Sequence, residues 1–224
     1  MPGVLRLRLD RPQRRNALDA PLVEALHEAF EQVAQPVVVL GSTSRAAFCA
    51  GADLDLEDAE RAAVSDRLYA LYELMAACPA IIVAALPGPA VGGGAQLAIA
   101  ADLRVASPHA RVRLAGPGHG LAVGAWGLPS LVGRGRAIDL CLTMRDVGAE
   151  EALAIGLFDR VAADADAAAL ELAAELATLE PQALGRVKRI AWQAAGAAEA
   201  LAAERAGNAA TWSGSMALGA AERG

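Results

Sequence analysis

Two glycine-bearing segments hold residues from which backbone chemistry can be built. They are Phe48-Cys49-Ala50-Gly51-Ala52-Asp53-Leu54 and Pro89-Ala90-Val91-Gly92-Gly93-Gly94-Ala95-Gln96-Leu97. Each is expected to follow a strand and precede a helix. The N-terminus of a helix leaves N–H groups without intrahelical acceptors and carries the positive end of the helix dipole. Two such ends aimed at one point make an oxyanion hole from backbone alone. Either segment taken singly also has a plainer reading, because glycines in such turns often serve only backbone geometry.

Other chemistries lack their residues. His27, His109 and His119 are too scattered for a metal cluster, and Cys49, Cys78 and Cys141 form no C-x-x-C pair, so no metal is expected. The cysteines read as small buried thiols in a reducing cytosol, and a cytoplasmic location is expected. No G-x-S-x-G elbow offers a serine nucleophile. The glycine triplet lacks the spacing of a dinucleotide-binding turn, and no phosphate-cradling G-x-x-x-x-G-K-[ST] occurs. Twenty basic residues against 26 acidic ones give a net charge of -6, and no Lys/Arg run appears, so a nucleic-acid partner is not expected.

The elements that must position the two turns are legible in the hydrophobic pattern. Val4 to Asp10 alternates as a half-buried strand, and Asp19 caps a helix carrying Leu22, Leu26, Phe30 and Val33. Val37-Val38-Val39-Leu40 and Ile81 to Leu86 read as strands buried on both faces. A helix spans about Asp58 to Ala77, and another begins at the glycine triplet. Leu103-Arg104-Val105 and Val112-Arg113-Leu114 are short strands. From Ala149 the pattern turns helical, over Ala149–Ile155, Asp164–Leu179, Pro181–Ala195 and Ala198–Thr211, with one further strand candidate at Leu157–Ala162. The alternation of strand and helix predicts an α/β core over residues 1–163 and a helical region over residues 164–224. The uncharged stretch Cys78 to Ala101 is long enough to suggest a membrane span, but its prolines and glycine triplet argue for strand, turn and helix instead. No signal peptide is expected, since the N-terminus enters the alternating strand directly.

Taken together, the two turns and their order resemble the crotonase superfamily, the enoyl-CoA hydratase/isomerase family. Arg11-Pro12-Gln13-Arg14-Arg15-Asn16-Ala17-Leu18 is similar to that family's R-P-x-x-x-N-A-L entry. Ala101-Asp102-Leu103-Arg104 and Gly148 to Leu157 continue the likeness across nearly the whole chain. The resemblance implies a spiral of ββα units followed by a helical C-terminal trimerisation region, hence a homotrimer or hexamer. It implies a coenzyme A thioester as ligand, no permanently bound cofactor, and Ala52 and Gly93 as the oxyanion N–H groups. Arg14 and Arg15 stand where the family contacts CoA phosphates, and read equally as solvated loop charges. Leu54, Leu56, Val123 and Trp126 are candidates for the acyl pocket, or for plain core.

The departures concern the acids. By the resemblance, two glutamates carry hydration, and their positions here hold Gln96 and Gly116. An amide cannot shuttle a proton at neutral pH. No Asp or Glu occurs between Asp102 and Asp139, and His119, in the segment just after Gly116, is the candidate there, as a proton donor or as a surface imidazole. Losing both acids costs on the order of 10⁴–10⁸ in rate, while backbone donors worth roughly 10²–10³ each remain. Asp55 also stands where many members carry a lysine near CoA. Three readings follow: an acyl-CoA-binding protein with weak or lost hydratase activity, an enzyme of other chemistry such as thioester decarboxylation, or a hydratase drawing its carboxylate from Asp55, Glu57 or Asp139.

Overall fold

The computed structural model describes residues 2–213; residues 214–224, the end of the expected helical region 164–224, lie outside the described residues. Strand β1 (Val4–Leu9) leads through a short 3-10 turn (Pro12–Arg14) to helix α1 (Ala20–Glu31), where the Asp19 carboxylate accepts from Leu22 N at 3.1 Å. Strand β2 (Val37–Ser42) follows, then helix α2 (Asp58–Ala77), opened by a capping box between Glu57 and Glu60. Strand β3 (Ile81–Leu86), strand β4 (Ala90–Val91) and helix α3 (Gly93–Ile99) come next. Strands β5 (Leu103–Ala106) and β6 (Arg111–Arg113) precede a second 3-10 turn (Pro117–His119) and helices α4 (Leu128–Val132) and α5 (Arg134–Thr143). Strand β7 (Val147–Gly148), helix α6 (Ala149–Ala154) and strand β8 (Arg160–Val161) lead to helices α7 (Ala165–Leu176), α8 (Pro181–Ala194) and α9 (Ala197–Ser213).

The main sheet is parallel throughout, in the order β1-β2-β3-β5-β8. A small second sheet, β4-β6-β7, stands beside it. Every residue of β2 and β3 is buried, as a sheet covered on both faces requires. Alternate side chains serve two cores. Val38, Leu40, Ile82, Ala84 and Leu86 join Phe30, Leu68 and Tyr72 on one face. Val37, Val39, Ile81 and Val83 meet Ala169, Leu172 and Ala173 of α7 and Leu184 of α8 on the other. The composition change near residue 163 therefore coincides with the helix that covers the second face of the sheet. No described helix is long and apolar enough to cross a membrane.

Two features depart from the sequence reading. The segment between Leu128 and Thr143 is helical, although Gly127, Pro129, Gly133 and Gly135 obscure any helical period there. And Ala52 is not at a helix terminus. The stretch around it is extended, bridged from Leu18 to Ala52 and from Cys49 to Ala90, and α2 begins only at Asp58.

Candidate active site

The two glycine-bearing segments lie against one another. Phe48 N and Cys49 N donate to Pro89 O at 2.9 and 3.2 Å, and Val91 N donates back to Cys49 O at 3.0 Å. Two glycines make this approach possible. A Cβ at Gly94 would lie 2.5 Å from Cys49 O, and one at Gly51, whose φ is +92°, would lie 2.7 Å from Val91 O. Neighbouring N–H groups are occupied: Ala50 N donates to Arg15 O and Asp53 N to Leu18 O, both at 3.0 Å. Ala52 N has no protein acceptor among the described residues, and neither does Gly93 N, the first of α3. Tyr72 Oη donates to Gly93 O at 3.0 Å and holds that helix start in place. Both residues line one cavity of about 310 Å³.

The turn before α1 braces this arrangement from behind. Asn16 is fully buried in a left-handed conformation (φ 55°). Its Oδ1 accepts from Arg11 N at 2.9 Å, and its Nδ2 donates to Ser42 Oγ at 2.7 Å and Phe48 O at 2.9 Å. Arg11 reaches Asp53 at 2.7 Å, and that hydrogen bond is the first cause holding the Asp53 carboxyl down at about 2. The sequence reading passed over Asn16, Arg11 and Asp53 as site-building residues. Asparagine's tolerance of positive φ was the available signal.

Arg14 also binds Asp53, at 3.0 Å, and pairs with Asp55, which raises the guanidinium pKa further. Its charge is thus already matched. Arg15 is exposed and has no carboxylate partner among the described residues.

Gln96 and Gly116 both border the cavity. Gln96 is buried, and Trp126 Nε1 donates to its Oε1 at 2.7 Å. Gly116 has no room for a side chain: a Cβ would lie 2.6 Å from Leu121 O and from Val123 Cγ2. His119 borders the cavity from the exposed end of its 3-10 turn. Leu54 and Val123 line it as well, but Leu56 faces a separate depression between α1 and α2. Trp126 stands behind Gln96, its ring stacked against Tyr72 and Trp192 at centroid distances of 6.0 and 6.1 Å. Packing thus removes Leu56 and Trp126 from the expected pocket lining.

The three alternative carboxylates are elsewhere. Asp55 pairs with Arg14, Glu57 caps α2, and Asp139 pairs with exposed Arg145 at 3.5 Å. None borders the cavity. A buried acid that the sequence reading did not single out, Glu204 of α9, is hydrogen-bonded to Tyr69, which borders the cavity. It is buried behind the wall and accepts from Tyr69 Oη at 2.8 Å, Gly124 N at 3.0 Å and Trp126 N at 2.9 Å. Burial raises its pKa against those hydrogen bonds. Asn208, one turn on, donates to Tyr69 Oη at 2.7 Å and accepts from Ala122 N at 2.9 Å. Through these two residues α9 fastens the loop that carries Gly116, His119 and Val123. All three cysteines are buried, and desolvation pushes the Cys49 thiol up to about 12, which leaves it unreactive.

A parallel sheet wrapped by helices thus brings N–H groups without protein acceptors, from two abutting turns, to one cavity. Residues 1–216 match the family model for enoyl-CoA hydratase/isomerase. The chain is similar to the probable enoyl-CoA hydratase echA6 of Mycobacterium leprae, 42% identical over 198 residues, covering 84% of this chain and 78% of the relative. It is 38% identical over 194 residues to the putative enoyl-CoA hydratase/isomerase YngF of Bacillus subtilis, covering 80% and 74%. The crystal structure of an enoyl-CoA hydratase from Mycobacterium avium subsp. paratuberculosis superposes with a TM-score of 0.83 at 30% identity, covering 94% and 87%. The chain belongs to the enoyl-CoA hydratase/isomerase family of the crotonase superfamily.

Proposed function

We propose that this chain binds a fatty acyl-CoA thioester, its carbonyl oxygen held by Ala52 N–H and Gly93 N–H, with little or no hydratase activity. The observation that carries this reading is the cavity itself: it offers two unbonded N–H groups and, among the described residues, no carboxylate. Coenzyme A enters as part of the ligand, and no permanent cofactor is invoked. Of the two arginines in the first turn, Arg15 is the cation left for a CoA phosphate, because Arg14 is matched by two aspartates. A homotrimer or hexamer is the expected assembly. Calorimetric titration tests the reading. Acyl-CoA should bind saturably and more tightly than free CoA, and crotonyl-CoA should not be hydrated at ordinary enzyme rates. Absence of heat with any chain length would refute it.

A second reading is favoured by His119 alone, which borders the same cavity. Decarboxylation of a malonyl-type thioester needs no base to begin. The C–C bond breaks, CO₂ leaves, and its electron pair becomes an enolate held by the two N–H groups. The imidazolium of His119 then protonates the α-carbon. Carbon dioxide release from malonyl-CoA that disappears in His119→Gln would establish this reading; no release from the wild type would dismiss it.

A further inference from the structure

The cavity has a second polar end. Helix α2 runs along it and brings Arg61, Ser65, Leu68, Tyr69 and Tyr72 to its lining. Tyr72 Oη meets Gly93 O, and a Cβ at Gly93 would lie 3.4 Å from Leu68 Cδ1, so the oxyanion end faces residues 68–72. Arg61 stands about two to three turns nearer the start of α2. At a rise of about 1.5 Å per residue, that is roughly 10–17 Å away.

Other polar groups of the wall satisfy one another. Tyr69 Oη donates to Glu204 and accepts from Asn208 and from the Gln96 amide. Asn208 Oδ1 accepts from Ala122 N, and Gln96 Oε1 from Trp126. Two side-chain donors are left over. Arg61 Nε and Trp212 Nε1 are buried with no hydrogen-bond partner among the described residues, and both residues border this cavity. Arg61 does pair through Nη2 with Asp58, but that carboxylate is 52% exposed, and a solvent-screened pair is a weak competitor. Buried donors left open in a folded protein call for an acceptor from outside it. An ionised carboxylate suits both, because it only accepts and because its charge strengthens the bond to a guanidinium. No described carboxylate of the protein borders the cavity to repel one.

We propose that Arg61 and Trp212 bind the far end of an acyl chain that terminates in a carboxylate, so that the site takes the CoA thioester of a dicarboxylic acid. The inference rests on the thioester reading above and adds the class of acyl group to it. The separation of the two ends sets the length. Carbon–carbon bonds of about 1.5 Å zigzag to about 1.3 Å of advance per carbon, so the span corresponds to roughly eight to thirteen carbons. A shorter diacid would leave its carboxylate unpaired among apolar lining residues such as Leu68, Leu121 and Val123.

The test is a set of calorimetric titrations with two pairs of thioesters of equal chain length. Wild type should prefer sebacyl-CoA over decanoyl-CoA by about tenfold, the equivalent of one hydrogen bond to a charged group. Succinyl-CoA, too short to reach Arg61, should gain no such preference over butyryl-CoA. Arg61→Leu should abolish the sebacyl preference. Trp212→Phe, which keeps an aromatic ring but removes its N–H, should lower it, and it decides the matter should Arg61→Leu not fold. Decanoyl-CoA bound as tightly as sebacyl-CoA by wild type would overturn this inference and leave the thioester reading standing. Binding of none of the four would overturn both. A sebacyl preference that survives in both variants, or an equal preference for succinyl-CoA, would place the carboxylate elsewhere and overturn the role of Arg61 and Trp212.

Discussion

Removing the buried carboxylate of Glu204 should loosen the cavity wall and the fold together. Glu204→Ala strands three buried donors, Tyr69 Oη, Gly124 N and Trp126 N. Each stranded donor costs about 1–3 kcal/mol. Part of that is offset because a carboxylate no longer has to be desolvated. The expected net loss is about 3–5 kcal/mol, a fall in Tm of about 6–20 °C for a chain of this size. Glu199→Ala, exposed near the start of the same helix, should cost less than about 1 kcal/mol and serves as the control. The raised pKa of Glu204 adds a pH signature. Between its ordinary value of 4.5 and its raised folded value, the native state binds more protons than the unfolded state. Its contribution is therefore fully present below 4.5 and is lost as pH rises through the folded value. Glu204→Gln carries no such dependence, so its deficit against wild type should narrow as pH rises. Thermal melts across pH 4–8 measure both effects. A Tm drop below about 2 °C in Glu204→Ala, or a deficit of Glu204→Gln that widens with pH, would refute the reasoning.

Three further outcomes are expected. Gln96→Glu combined with Gly116→Glu should fail to restore crotonyl-CoA hydration, because Leu121 O blocks any side chain at 116; Gly116→Ala alone should cost about 1–3 kcal/mol in denaturant titrations. Asp53, held at about 2 by Arg11, contributes stability that is present above 3.8 and lost as pH falls through about 2; acid unfolding of Asp53→Asn should lack that component. Leu179, Val187 and Ile190 are 51%, 67% and 62% exposed, so light scattering should give a trimer or hexamer, and Val187→Glu with Ile190→Glu should dissociate it.

The strands and long helices were legible because their periods are strong. The boundaries of α2 and β3 agree with the reading residue for residue. The helices between Leu128 and Thr143 were hidden by their glycines. Within the site, the two turns could be picked out from their glycines, but not the fact that Ala52 sits in an extended bridge. That depends on pairing with Leu18, 34 positions earlier in the chain. Glu204 and Asn208 were not legible at all. In sequence they belong to an Ala-rich helix like any other, and only the packing of α9 against α2 turns them toward Tyr69.

The contact of Gly94 with Cys49 has a consequence for how such a protein can change over time. The spacing of the two donor N–H groups is set by main chain pressed on main chain, so it does not depend on which side chains surround it. On the proposed thioester reading, mutations at Gln96, His119 or Val123 can rewrite what happens to the acyl chain while the two donors keep their places. Gly94 and Gly51 have no such latitude, since any side chain there would drive the turns apart. Drift should therefore retire the reaction long before it retires the ligand, and a lineage of this fold can pass through inert binders on its way from one chemistry to another.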